Sequence, residues 1–106
     1  MSPYCPDETK YHVVDSVIAH YQSHFSKGQT LLGQKIHRVV TDNGIRVTLE
    51  DGTWGLVRAS SNKPTLVVVV ESPVSEKLMH AMFEEIDATL RKYPEVGEYD
   101  QKLKAA

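Results

Sequence analysis

The tripeptide Asp42-Asn43-Gly44, set between two β-rich runs, constrains this chain more than any other feature. Asn and Gly both tolerate the positive φ angles of a type I′ turn, so the dipeptide predicts a hairpin. Before it, Lys35 to Thr41 is rich in β-branched residues. After it, Ile45, Val47 and Leu49 alternate with Arg46, Thr48 and Glu50, the period of a half-buried strand. Asp51-Gly52 marks a second turn, Trp54 to Ala59 a third strand and Thr65 to Glu71 a fourth. The run Val67-Val68-Val69-Val70 has no polar face, which predicts a strand covered on both sides and therefore central.

Helical periods bracket these strands. Tyr11, Val14, Ile18, Tyr21 and Phe25 recur at steps of three and four, predicting a helix over about 8–26 with one buried stripe. Asp7 or Thr9 is placed to cap its first turn, and Gly28 sits where a C-terminal glycine belongs. Ser75 is the expected N-cap of a second helix, with Glu76 favourable in its first turn. Met79, Met82, Phe83, Ile86, Leu90 and Tyr93 form its apolar stripe, and Pro94 stops it. From Glu95 the chain is charged and weakly patterned, so 95–106 reads as an extended or frayed tail. The order predicts an α+β fold: a four-stranded antiparallel sheet with two helices packed on one face.

A chain of 106 residues holds one core and is small for an enzyme with a closed active site. Its 41% hydrophobic and 25% charged content is that of a soluble globular domain, not of a collagen-like, disordered or disulfide-framework chain. A net charge of −2 argues against a general polyanion binder. No apolar run approaches the roughly 18 residues of a membrane span, and Met1 to Lys10 lacks the pattern of a signal peptide. One cysteine, Cys5, fits a reducing compartment, so a cytoplasmic location is expected.

The connection from the third strand to the fourth stands out. Gly55-Leu56-Val57-Arg58-Ala59-Ser60-Ser61-Asn62-Lys63-Pro64 gathers a guanidinium, hydroxyls, an amide and an ammonium without a carboxylate. Arg58 offers a planar fork suited to a tetrahedral oxyanion. Ser60, Ser61 and Asn62 have side chains and N–H groups able to line a turn-type anion nest. On the residues alone, the segment is either an anion-binding loop or an ordinary solvated turn.

Trp54-Gly55-Leu56-Val57-Arg58-Ala59-Ser60, running through Ser61-Asn62-Lys63-Pro64 into Leu66-Val67-Val68-Val69, resembles the C-terminal domain of the α-D-phosphohexomutases of the phosphomannomutase/phosphoglucomutase type. That domain carries a G-L-V-R-A-S-N-T-x-P-type loop followed by an apolar strand and a helix. Asp7-Glu8-Thr9-Lys10, Gly44-Ile45-Arg46-Val47 and Ser75-Glu76 extend the similarity over about Cys5 to Tyr99. The resemblance implies a TBP-like domain over 8–94, the last of four in an enzyme that moves phosphate between C1 and C6 of a hexose through a bisphosphorylated sugar. Residues 1–7 then correspond to a shortened interdomain strand. By position, Arg58 and Ser60 match the substrate-phosphate binders. The family's Asn-Thr pair appears here as Ser61-Asn62, and Lys63 is a further cation beside it. The implied partners are a glucose or mannose phosphate and the other three domains.

The family's phosphoserine motif, of the T-A-S-H-N-P kind, and its metal loop, of the D-G-D-G-D-R kind, have no counterpart in this sequence. The expectation is therefore no catalytic residue and no bound cofactor in this chain, with Mg²⁺ held by another domain. Other features read more simply. His20 and His24 have a metal-compatible spacing but lie on the flank of an apolar stripe. Cys5 lacks the neighbouring positive charge of a reactive thiol. Glu84, Glu85 and Asp87 read as a solvated face, and Trp54 either stacks on a ligand or packs beneath a helix. An RNA-recognition module would want stacking aromatics where these strands have Val and Leu. The remaining rival is a stand-alone ligand-binding or dimerisation module, so neither nucleic acid nor membrane is an expected partner.

Overall fold

A computed structural model describes residues 1–99. The α+β class holds, but the sheet has five strands rather than four: β1 (Thr30–Leu31), β2 (Gln34–Val40), β3 (Ile45–Leu49), β4 (Trp54–Ala59) and β5 (Leu66–Glu71). They pair antiparallel in sequence order. Helix α1 (Lys10–Ser26) packs across β2, β3 and β4, and α2 (Glu76–Leu90) across β4 and β5.

The strand that the sequence does not announce, β1, is two residues long and joins β2 through Leu32-Gly33. Both residues have positive φ, 52° and 74°, the signature of a two-residue primed turn. Leucine disfavours that region, so no turn signal precedes the structure. Asn43 and Gly44 also have positive φ, but Val40 pairs with Arg46 and the connection spans residues 41–44. The tight hairpin expected at Asn43-Gly44 is thus a longer loop.

A bulge corrects the alternation of β2. Ile36 pairs with Leu49, but Arg38 pairs with Thr48, so His37 is one residue too many on its strand. The extra residue reverses parity: Val39 joins Val47 on the inner side, and Arg38 joins Thr48 on the outer one.

The Val67–Val70 run does not form a central strand. β5 is last in the sheet, and Val69 is exposed. The chain's first residues instead cover its outer edge: Leu66 N–H donates to the Pro3 carbonyl (2.9 Å), and Val68 N–H to that of Met1 (2.7 Å). Tyr4 and Gly97 exchange with the far side of this segment, Tyr4 N–H donating to Glu98 O and Gly97 N–H to Tyr4 O. Residues 95–99 are therefore packed rather than frayed, with Val96 buried and Tyr99 O–H donating to Asp87 (2.8 Å). The rest of the expected tail, 100–106, lies outside the described residues.

Helix α1 is rotated by about one residue from the expected stripe. Val13, Val14, Val17 and Tyr21 are buried, whereas Tyr11 and Phe25 are exposed. Both stripes satisfy the helical period, and they share Val14 and Tyr21. The helix starts at Lys10 without a side-chain cap, because the Thr9 hydroxyl turns back to Pro6 O. It ends as expected at Gly28, with Gln29 N–H donating to His24 O in a Schellman arrangement.

Helix α2 begins at the Ser75 cap, whose hydroxyl accepts from Leu78 N–H (3.1 Å). It buries Met82, Phe83, Ile86 and Leu90, each worth about 1.5–3 kcal/mol of transfer free energy. Glu85 and Asp87 are not a solvated face. Glu85 accepts the Tyr21 hydroxyl at 2.5 Å, tying α2 to α1, and Asp87 accepts both Tyr99 O–H and Arg91 Nε. Burial and the Glu85 carboxylate push the Tyr21 phenol far above its usual range.

Two outcomes test this packing. A Cβ on Gly55 would run into Ile86 Cδ1 and lie 3.1 Å from Met82 Cε, so Gly55→Ala should cost about 1–3 kcal/mol in urea unfolding. An unchanged midpoint would mean that α2 has slack above β4. At the β3–β4 turn, hydrogen bonds from Thr53 and then Gln34 hold the Asp51 carboxyl below the usual range. A depressed folded pKa stabilises the protein above the unfolded value, about 4, and that contribution is lost as pH falls through the folded one. Asp51→Asn should therefore be less stable than wild type at pH 7, with the difference closing below about pH 4.

Candidate functional site

The 60–64 loop is built from both sides of the sheet. Along β4 the residues Gly55, Val57 and Ala59 are buried under the helices, which turns Trp54, Leu56 and Arg58 onto the open face. Arg58 lies opposite Val67 of β5, half-buried, and its side chain forms no ion pair or hydrogen bond among the described residues. Gly44 presses against its backbone: a Cβ there would lie 2.7 Å from Arg58 Cβ and collide with the Val57 carbonyl oxygen. The β2–β3 loop thus fixes the strand at the point where Arg58 leaves it.

Ser60 closes the loop, its N–H donating to the Thr65 carbonyl at 3.0 Å. Its side chain is buried and donates to Asn62 Oδ1 (3.1 Å), so this hydroxyl shapes the loop from inside. Asn62 N–H makes a long contact back to Ser60 Oγ (3.5 Å). Ser61, Asn62 and Lys63 are exposed, and the N–H groups of Ser61 and Lys63 have no acceptor among the described residues. The Lys63 ammonium meets no carboxylate among the described residues. All five residues singled out in the sequence therefore lie in one contiguous loop and its supporting strand end: two cations, an exposed amide and free backbone donors. Such a set suits an oxyanion, because its cations and outward N–H groups donate and residues 55–64 contain no carboxylate.

The return limb is pinned from beneath. Pro64 O accepts from Cys5 N–H at 2.8 Å, and Lys63 O accepts from Thr65 N–H at 2.8 Å and from Lys10 Nζ at 3.0 Å.

The residues set aside in the sequence fall elsewhere. Cys5 is fully buried, and burial pushes its thiol up, away from the reactive thiolate. The His20 and His24 rings lie 5.0 Å apart, and burial holds His20 below its ordinary range. Among the described residues no three His, Cys, Asp or Glu side chains come together as a group that could hold a metal ion. Trp54 lies on the open face, not beneath a helix, with the Arg46 guanidinium 3.9 Å above its ring. Arg46 and Arg58 share this face, and sequence reasoning missed that Arg38 joins them, because the bulge that turns Arg38 outward has no local signal.

Residues 5–89 match the family described as the phosphoglucomutase/phosphomannomutase C-terminal domain, a range that contains the whole sheet and nearly all of α2. This chain belongs to that family. It is 34% identical over 88 residues to the phosphopentomutase of Thermococcus kodakarensis, which covers 83% of the chain but 18% of that relative. Probable phosphoglucosamine mutases of Methanothermobacter thermautotrophicus and Methanopyrus kandleri are each 33% identical, over 73 and 94 residues; the matches cover 69% and 89% of this chain and 14% and 18% of those relatives. The chain thus spans less than a fifth of the relatives it matches. No helix among the described residues is long and apolar enough to cross a membrane.

The contact at Gly44 gives this C-terminal domain a sharp test. Gly44→Ala combines a positive φ of 101° with a backbone collision, so it should destabilise by more than about 1 kcal/mol and displace the Val57 and Arg58 amide resonances. Amide shifts confined to residues 41–44 would show that the loop does not brace β4.

Proposed function

We propose that this chain is the substrate-phosphate-binding domain of a sugar-phosphate mutase. In this reading the 58–63 loop grips the phosphate that is not reacting while chemistry proceeds on other domains. One observation carries it: in a mutase-family domain, the Arg58 and Lys63 side chains and the Ser61 and Lys63 N–H groups have no partner among the described residues, on a loop whose two ends are fixed.

Each residue then has a distinct task. Arg58 supplies a fork of two parallel donors to phosphate oxygens. Backbone N–H groups of Ser61 and Lys63, with the Asn62 amide, complete the cradle. Ser60 holds Asn62 in place through its hydroxyl rather than reaching outward. Lys63 adds charge at the rim. The nucleophile and Mg²⁺ belong to domains beyond this chain, so the chain alone binds phosphate without turning it over. The substrate class is an aldose phosphate. The relatives named for a pentose phosphate and a glucosamine phosphate widen it beyond the glucose and mannose phosphates first expected. A cytoplasmic location belongs to the same reading, supported by the free, buried Cys5.

Titration of the ¹⁵N-labelled chain with glucose 1-phosphate or ribose 1-phosphate should shift the amides of residues 58–63, with a Kd of about 1 mM for one anion loop. Arg58→Ala should weaken binding about tenfold, near 1.4 kcal/mol. Shifts centred elsewhere, or an Arg58→Ala chain that binds as wild type does, would remove the loop from the function.

A further inference from the structure

Lys10 is the most buried charged residue described, 4% exposed, in the first turn of α1. Neither burial nor position favours a lysine there. Charged side chains are seldom buried unless paired, and a cation at a helix N-terminus opposes the helix dipole. Its ion pair with Asp7 (2.8 Å) explains little, because that carboxylate is 67% exposed and such a pair forms equally well in solvent. The contact that requires burial is the other one. Across 53 residues of sequence, Lys10 Nζ donates to the Lys63 carbonyl at 3.0 Å.

That carbonyl is the weak point of the loop. It also accepts from Thr65 N–H, two residues on, so Lys63-Pro64-Thr65 forms a three-residue γ-turn, for which the fixed φ of proline is suited. A γ-turn has one short hydrogen bond and little rigidity of its own. The Lys10 ammonium supplies a charge-assisted bond to the same oxygen, and Cys5 N–H secures the next carbonyl, Pro64 O. With Ser60 N–H closing on Thr65 O, these bonds hold the base of the loop while residues 61–63 stay open to solvent.

We propose that Lys10 is a positioning residue for the anion loop: through the Lys63 carbonyl it sets the shape in which the Ser61–Lys63 N–H groups meet a phosphate. The ammonium lies beneath the loop and does not touch the ligand. Lys10 lies on the same face of α1 as the buried Val13, Val14 and Val17, so the rotation that packs these valines on the sheet also carries Lys10 to Lys63.

The inference rests on the phosphate-binding reading, and its test separates the two. Lys10→Met fills similar space without the charge; inorganic phosphate should bind it five- to tenfold more weakly, and the Ser61–Thr65 amides should become mobile by ¹⁵N relaxation. Asp7→Asn, which keeps the Lys63 contact, should stay within twofold of wild type on both readouts. Asp51→Asn, destabilised at the β3–β4 turn, the opposite end of β4 from the loop, should keep its phosphate affinity. If Lys10→Met does not fold, Lys10→Gln serves, with the same expected losses. A loop that stays ordered and binds phosphate normally without the Lys10 charge overturns the proposal. If wild type binds no phosphate, the functional reading fails, and loop order in the Lys10 variant still decides whether Lys10 positions the loop.

Discussion

The structure depends on the burial of β4 beneath both helices. β4 packs against α1 and α2 together, and its inner face is made of Gly55, Val57 and Ala59. Small side chains there let α2 approach until Ile86 and Met82 touch the strand backbone. Close packing of this kind has little freedom to shift, because interiors are as dense as organic crystals. The direction of β4 is thereby fixed, and with it the point at which Arg58 leaves the sheet and the 60–64 loop begins.

Edges and ends are organised around that strand. The N-terminal residues pair with β5 and take up backbone donors that an edge strand would otherwise expose. Residues 95–99 pack on the same segment, with the Tyr99 ring 5.5 Å from Phe83. The loop borrows its rigidity from these parts: Gly44 braces its outgoing strand, while Cys5 and Lys10 hold its return. The proposed anion site on a small, slightly acidic domain is consistent with this construction. Its positive charge is local, and its donors are backbone groups whose placement depends on shape more than on net charge.

Much of this was legible in the sequence, for identifiable reasons. The β3 alternation, the Ser75 cap and the α2 stripe are local patterns whose physics is complete within a few residues. The donor-rich run from Arg58 to Lys63 was visible because composition alone marks it as lacking a carboxylate. Errors arose where a local rule admitted two answers. The valine run is consistent with a doubly covered strand, but the chain's own first residues cover its edge and leave Val69 exposed. Two stripes fit α1, and contacts with the sheet and loop select between them. The His37 bulge leaves no local mark, so its reversal of Arg38 and Val39 was out of reach.

By itself, then, the sequence determined the class of fold, the order of its helices and main strands, and which loop carries the donors, because these follow from side-chain period, turn chemistry and charge. Tertiary structure decided which face each residue takes and how the loop is held. Gly44 against Arg58, Cys5 against Pro64 and Lys10 against Lys63 bring together residues far apart in the chain. Contacts of that kind have no signature in local spacing, since only the packed sheet and helices bring the partners within hydrogen-bonding distance.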